Sequence, residues 1–228
     1  LCEVGCAPGK WMAWFAKNYG YEVEGIEYAE NAAEITKRNL ELQQVPGKVL
    51  IKDFFAADIT QHCYDIIFSS GFIEHFDDVS AVVKRHTLMA KEHVVLIVPN
   101  LYGINGFISK KIRPQVYAEH NPIDKHQLKS FGEDSGLKTL FCEYVGGIRF
   151  IMPARHRQFF KDNPLISKAL NAPIRVFNKV STLVGGSLRI MPRWRSCSTS
   201  LLYIGTKTFE PQAKTKQEPV SEKVAPNG

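Results

Sequence analysis

Cysteine is sparse in this chain, and long apolar runs are missing altogether. Five cysteines, at positions 2, 6, 63, 142 and 197 of 228 residues, are odd in number and scattered, so they form no disulfide framework. Cys2 and Cys6 have neither a second pair nor clustered histidines to complete a zinc site, so no metal is expected. Free thiols fit a reducing compartment, and a cytoplasmic location is the expectation. No stretch of eighteen apolar residues occurs, which excludes a helix that spans a bilayer. The start lacks a signal-peptide pattern, and no internal repeat is visible. The dinucleotide fingerprint G-x-G-x-x-G is missing too. Counted from Gly5, its second and third glycines are Ala7 and Lys10, and a lysine there hinders close helix–strand packing.

What the chain has is alternation. Short stretches rich in apolar or alternating residues at 1–4, 22–26, 48–53, 64–69 and 93–98 read as strands. Helical patterns at 10–19, 30–43 and 77–90 lie between them, with Asp77 or Asp78 as the cap of the third. A helix at 125–135 leads to strands at 137–145 and 198–205. Strand–helix alternation implies a doubly wound, mostly parallel Rossmann-like sheet with right-handed crossovers. The domain is expected to span 1–209. The segment 102–122 reads as a long connecting loop, a kind that is usually functional or disordered. From about 210 to 228 the tail is polar and lacks aromatics, so disorder is expected.

The first strand ends in an acid, and a turn follows that reads Glu3-Val-Gly5-Cys6-Ala7-Pro-Gly9 before a helix. A glycine turn of this kind lets a ligand lie against the backbone at the helix N-terminus, although a purely structural turn would look the same. Three features follow in order. Glu27 ends the second strand about twenty residues on, where a carboxylate can accept both hydrogen bonds of a ribose diol. Asp53 and Phe54 close the third strand, with Asp58 as a nearby competitor. Ser69, Ser70 and Gly71 end a strand apolar enough to be buried on both faces, and Glu74-His75 comes next. Their small side chains leave room at the carboxyl end of the sheet, where open α/β sheets bind ligands.

At these residues the chain resembles the class I S-adenosylmethionine-dependent methyltransferases, whose first motif is [DE]-x-G-x-G-x-G. The middle glycine is Ala7 here, tolerable where φ is negative. The resemblance implies a seven-stranded sheet with an antiparallel edge hairpin and S-adenosylmethionine as cofactor. It implies a donor site built from Glu3, Gly5, Cys6 (through its backbone), Ala7, Gly9, Glu27, Tyr28, Asp53, Phe54, Ser70 and Gly71. Asp53 would take the adenine amino group, with Phe54 along the ring. Asn100 and Tyr102 follow the fifth strand, where acceptors lie in this family, and are expected as pocket walls. His75 and His120 are the candidate bases, since neutral imidazole suits proton abstraction near pH 7. The Glu-His pair resembles the small-molecule branch, which includes ubiquinone-pathway and sugar methyltransferases, so a small or lipid-linked acceptor is expected, methylated on oxygen. The Asn-Pro-Pro-Tyr type motif of many amide and nucleobase N-methyltransferases is missing, which weighs against nucleic acid. The chain starts inside its first strand. A preceding segment, which in this family often covers the cofactor, is therefore expected.

The positive charge is concentrated. Residues 151–196 carry nine lysines and arginines against one acid, Asp162, whereas the whole chain nets only +6. The rest is therefore slightly acidic. This basic insert, 150–196, reads as helical in pieces broken at Pro164, Pro173 and Pro192, and it interleaves apolar residues with the cations. A cap packed on the sheet, a helix on an anionic membrane surface and a polyanion-binding face all fit that composition. A module that has lost catalysis and only docks through this insert is the alternative to an enzyme.

Overall fold

The protein, described by a computed structural model, is defined over residues 1–56, 64–112, 114–146, 162–188 and 194–208. Asp58, Cys63, Arg155, Arg157, Lys161, Arg189, Arg193 and the tail from 210 lie outside the described residues.

Among the described residues seven strands form one sheet in the order β3-β2-β1-β4-β5-β7-β6. They are β1 Cys2–Val4, β2 Val23–Glu27, β3 Gly47–Ile51, β4 Tyr64–Ser70, β5 Ala90–Pro99, β6 Leu137–Val145 and β7 Ser200–Lys207. β1 to β5 are mutually parallel, and β7 runs antiparallel between β5 and β6. The sheet reverses direction of travel at β1/β4, because the chain runs outward through β2 and β3 and then returns to β4. Ligands bind at such switch points, beyond the carboxyl ends of the strands. The Rossmann-like sheet with its antiparallel edge is the architecture that the sequence implied.

Helices cover both faces. α1 (Lys10–Tyr19) and α2 (Glu30–Leu42) lie on one side, where Met12, Ala13 and Leu40 pack with Cys6 and Phe68. α3 (Val79–Met89) and α6 (Lys125–Asp134) lie on the other, where Val82, Val83 and Leu128 meet Ile67, Leu96 and Tyr203. Asp78 caps α3 by accepting from Ala81 N–H at 2.9 Å, and Asp124 and Gln127 form a capping box on α6. Cys2, Cys6, Cys142 and Cys197 are buried free thiols.

Three expectations are corrected. The 102–122 connection is largely helical, as α4 (Ile104–Ile112) and α5 (Pro114–Ala118). β3 stops at Ile51, so Asp53 stands in the turn beyond the strand. Most of the described part of the insert is one helix, α7 (Pro164–Leu188), which runs through Pro173. Pro164 occupies the first turn, where its missing N–H costs nothing. Pro173 removes one interior hydrogen bond that the remaining turns outweigh.

His86 of α3 is wholly buried, with Nδ1 2.8 Å from the Val82 carbonyl oxygen and its ring against Phe54 and Phe72. Its Nε2 has no partner among the described residues. Burial pushes its pKa down to about 4. The folded chain therefore binds fewer protons than the unfolded chain between pH 6.5 and 4, and stability is lost as pH falls through that window. The expected loss is about 1.4 kcal/mol per pH unit, about 3 kcal/mol in all. Urea unfolding at pH 7 and pH 4.5 checks this, and His86→Met should remove that share of the pH dependence.

Candidate active site

One cleft of about 720 Å³ opens at the carboxyl ends of β1, β2 and β4. Its walls include Gly5, Glu27, Tyr28, Asp53, Phe54, Gly71 and His75, all expected from the sequence. Val4, Ile26, Lys52, Phe55, Phe72 and Phe76 also line it. The volume lies within the range of cofactor sites, roughly 300–1,000 Å³.

The turn after β1 shapes the floor. Gly5 has φ +67°, and its N–H donates to the Ile26 carbonyl at 2.9 Å. A Cβ there would stand 2.8 Å from the Phe72 ring, so glycine is needed for both conformation and space. Ala7 is not at positive φ, which is why alanine can replace the family's middle glycine. Gly9 (φ +82°) precedes α1 and lies against Thr36 of α2, where a Cβ would come within 3.0 Å.

The structure divides the expected donor residues. Glu27 is almost buried, and its Oε1 accepts from Ala29 N–H at 3.0 Å. That bond orients the carboxylate and leaves Oε2 for the cleft. Asp53 Oδ1 accepts from Phe55 N–H at 2.9 Å, which fixes the turn that presents Phe54. Arg85 Nε donates to the Phe54 carbonyl at 2.6 Å and holds this turn from below. Tyr28 stands at the rim, 78% exposed.

Glu3, Cys6, Ala7, Gly9 and Ser70 are not among the lining residues. Glu3 is buried and accepts from Met12 N–H at 3.1 Å, so it braces the first turn of α1 rather than facing the cleft. Burial pushes its carboxyl up to about 8, against that hydrogen bond. The Cys6 thiol packs under Gly25 of β2, which keeps it inside the core.

Asn100 is also corrected. It is buried, and its amide donates to the carbonyls of Arg195 at 2.6 Å and Ser198 at 2.9 Å. It clips the segment before β7 to the end of β5 and is not a wall of the cleft. Tyr102 lines a second, more open depression with Lys125, Glu143, Trp194 and Arg195, and the Arg195 guanidinium lies 4.5 Å from its ring centroid.

His75 and His120, 45 positions apart, come together with ring centroids 4.4 Å apart. Asn121 makes the junction: its N–H donates to the Glu74 carbonyl at 2.7 Å and its amide to the Phe76 carbonyl at 2.8 Å. Burial, and then His120, push the pKa of His75 down, so the ring is held neutral. Its Nδ1 lies 3.3 Å from the Glu119 carbonyl oxygen. A proton on Nδ1 makes that a hydrogen bond and leaves Nε2 as the basic atom.

Sequence reasoning found Phe54 and missed the other aromatic walls, Phe55, Phe72 and Phe76. Phe72 and Phe76 flank Glu74-His75 four residues apart, their centroids 4.9 Å apart, and Phe54 and Phe55 complete the cluster. Aromatics bracketing a polar pair next to a small-residue strand end were the available signal.

Residues 1–92 match the family model described as a methyltransferase domain. The fold is that of the class I S-adenosylmethionine-dependent methyltransferases. Solved structures with this fold include a SAM-dependent methyltransferase from Archaeoglobus fulgidus, at 17% identity and TM-score 0.56, with 90% of this chain and 85% of that one covered. Magnesium protoporphyrin IX methyltransferase from Synechocystis PCC 6803 aligns at 12% identity and TM-score 0.58, covering 91% and 73%. Geranyl diphosphate C-methyltransferase from Streptomyces coelicolor aligns at 13% and 0.57, covering 91% and 72%. Such identities carry the fold alone. A search of curated proteins gave no match.

Proposed function

We propose that the protein is an S-adenosylmethionine-dependent methyltransferase that methylates an oxygen of a small, saccharide-linked or lipid-linked acceptor. The observation that carries this reading is that one cleft gathers Gly5, Glu27, Asp53, Phe54 and His75 at the switch point of the sheet. Glu27 Oε2 is the atom for the ribose diol, Phe54 is the apolar surface for the adenine, and Asp53 Oδ2 is the acceptor for its amino group. When bound, S-adenosylmethionine supplies an activated methyl group on sulfur. The chain's share is to orient donor and acceptor in line and to exclude water, which the four phenylalanines favour. His75, with Nε2 basic at the end of the cleft, takes the acceptor's proton.

Calorimetric titration tests the reading. S-adenosylhomocysteine should bind at one site per chain and NAD should not; failure of both S-adenosylmethionine and S-adenosylhomocysteine to bind would overturn it. Glu27→Ala should weaken that binding roughly 10- to 150-fold, because it removes hydrogen bonds to a charged acceptor worth about 1.5–3 kcal/mol. Donor binding without transfer to any saccharide or quinol acceptor would favour the docking-module alternative.

A membrane surface as partner is supported by α7. Leu165, Ile166, Val176, Phe177 and Val180 are exposed, and Lys168, Arg175 and Lys179 cluster along an adjoining side at helical spacing. Among the described residues no helix is long and apolar enough to cross a membrane, so contact would be peripheral. The protein should float with vesicles containing anionic lipid and sediment with neutral ones; equal behaviour with both removes this partner.

A further inference from the structure

We propose that Glu74, His75 and His120 together form a site for a divalent cation, zinc or a chemically similar ion, at the end of the cleft. One carboxylate oxygen and one nitrogen from each ring lie within 4.8 Å of one another. Two imidazoles and one carboxylate are the donor set of a borderline cation held by three protein ligands, with further positions open.

Glu74 supplies the independent observation. It is 1% exposed, and its Oε2 has no hydrogen-bond partner. Among the described residues no salt bridge reaches it. A buried carboxylate oxygen without a partner is costly, and a cation bound beside it offsets that cost. The carboxyl sits in a segment that the rest of the fold pins in place. Asn121 bonds to the backbone of Glu74 and Phe76, which brings the neighbouring His120 to this turn. The Nδ1–H of His75 toward the Glu119 carbonyl is the outer bond that a metal-bound histidine makes, and it leaves Nε2 for the ion. The sequence concealed this set, because Glu74-His75 and His120 are far apart and no ligand spacing joins them.

The inference rests on the cleft being the methyl-transfer site, because the open positions of the ion would then receive the acceptor's oxygen. The cation holds that oxygen near the donor and favours its deprotonated form, with the proton leaving to solvent. With the ion bound, His75 Nε2 is its ligand and takes no proton itself, so this inference replaces the role of base proposed above, and the acceptor class narrows to compounds that carry a hydroxyl with a neighbouring oxygen.

Cobalt(II) is the probe, because its visible spectrum reports nitrogen and oxygen ligands. The intact protein, with S-adenosylhomocysteine bound, is titrated with cobalt(II) and then with zinc(II). One cobalt per chain with a tetrahedral or five-coordinate spectrum is expected, displaced by zinc. His120→Ala and Glu74→Gln should each weaken cobalt binding at least tenfold. His120→Ala, which removes no residue lining the cleft, should leave S-adenosylhomocysteine binding within threefold. Retention of the cobalt spectrum in both variants overturns the proposal, since the ion would then sit elsewhere. So does the failure of cobalt and zinc to bind at millimolar concentration while S-adenosylhomocysteine still binds. Failure of S-adenosylhomocysteine itself to bind would instead overturn the methyltransferase reading.

Discussion

Replacing His75 with alanine should lower kcat by about 10²–10⁴-fold, the range for removing a positioned acid–base group, whether the ring takes the proton itself or holds the ion that favours its loss. The ring stands at the end of the cleft, 4.4 Å from that of His120 and held by the Glu119 carbonyl. Neither Glu27, Asp53 nor Phe54 bonds to it, so the affinity for S-adenosylhomocysteine should change only a few-fold. That separation of kcat from donor binding distinguishes a role in transfer from a role in shaping the pocket. Added imidazole should restore part of the rate, because the alanine leaves a gap where the ring stood. Single-turnover methyl transfer with and without imidazole is the measurement. An unchanged single-turnover rate would place the acceptor elsewhere.

The part of this site legible in the sequence is the part made by short-range geometry. A strand, a glycine turn and an acid about twenty residues later place Gly5 and Glu27 on neighbouring strands, and the parallel register of β1 on β2 does the rest. Asp53 and Phe54 follow from the end of the next strand in the same way. Roles set by long-range packing were not legible. Whether Glu3 faces a ligand or α1 depends on how the helix seats, and it accepts from Met12 N–H. Asn100 looks like a pocket residue by position, yet its partners, Arg195 and Ser198, lie nearly a hundred positions away. The His75–His120 pair likewise depends on long-range ties, Asn121 to the Glu74 turn and His75 to the Glu119 carbonyl. The two helices within 102–122 were hidden by a segment with mixed polarity and glycines at 103 and 106, which reads as loop by local propensity.

Stability in the other half of the sheet turns on a single missing methyl group. Gly132 lies in α6, where alanine should by propensity be better by about 1 kcal/mol. A Cβ at this position would stand 2.0 Å from the Tyr203 hydroxyl oxygen and 2.3 Å from Cζ. Tyr203 is fully buried on β7, among the largest side chains of the core, and Gly205 confines it further, since a Cβ there would come within 2.6 Å of the same oxygen. The ring has nowhere to retreat, so steric cost outweighs propensity. Gly132→Ala should destabilise the protein by about 3 kcal/mol, at the upper end of ordinary overpacking. For a chain of this size that lowers Tm by about 6–12 °C. Tyr203→Leu in the same chain should recover part of the loss, because it removes both crowded atoms, although it costs stability by itself; a double-mutant cycle reads this coupling. Below its lowered Tm, Gly132→Ala should still bind S-adenosylhomocysteine like the parent, because α6 and β7 contribute no wall to the cleft. An undiminished Tm would mean that α6 shifts away from β7 freely, and that the sheet's antiparallel edge is looser than the buried tyrosine implies.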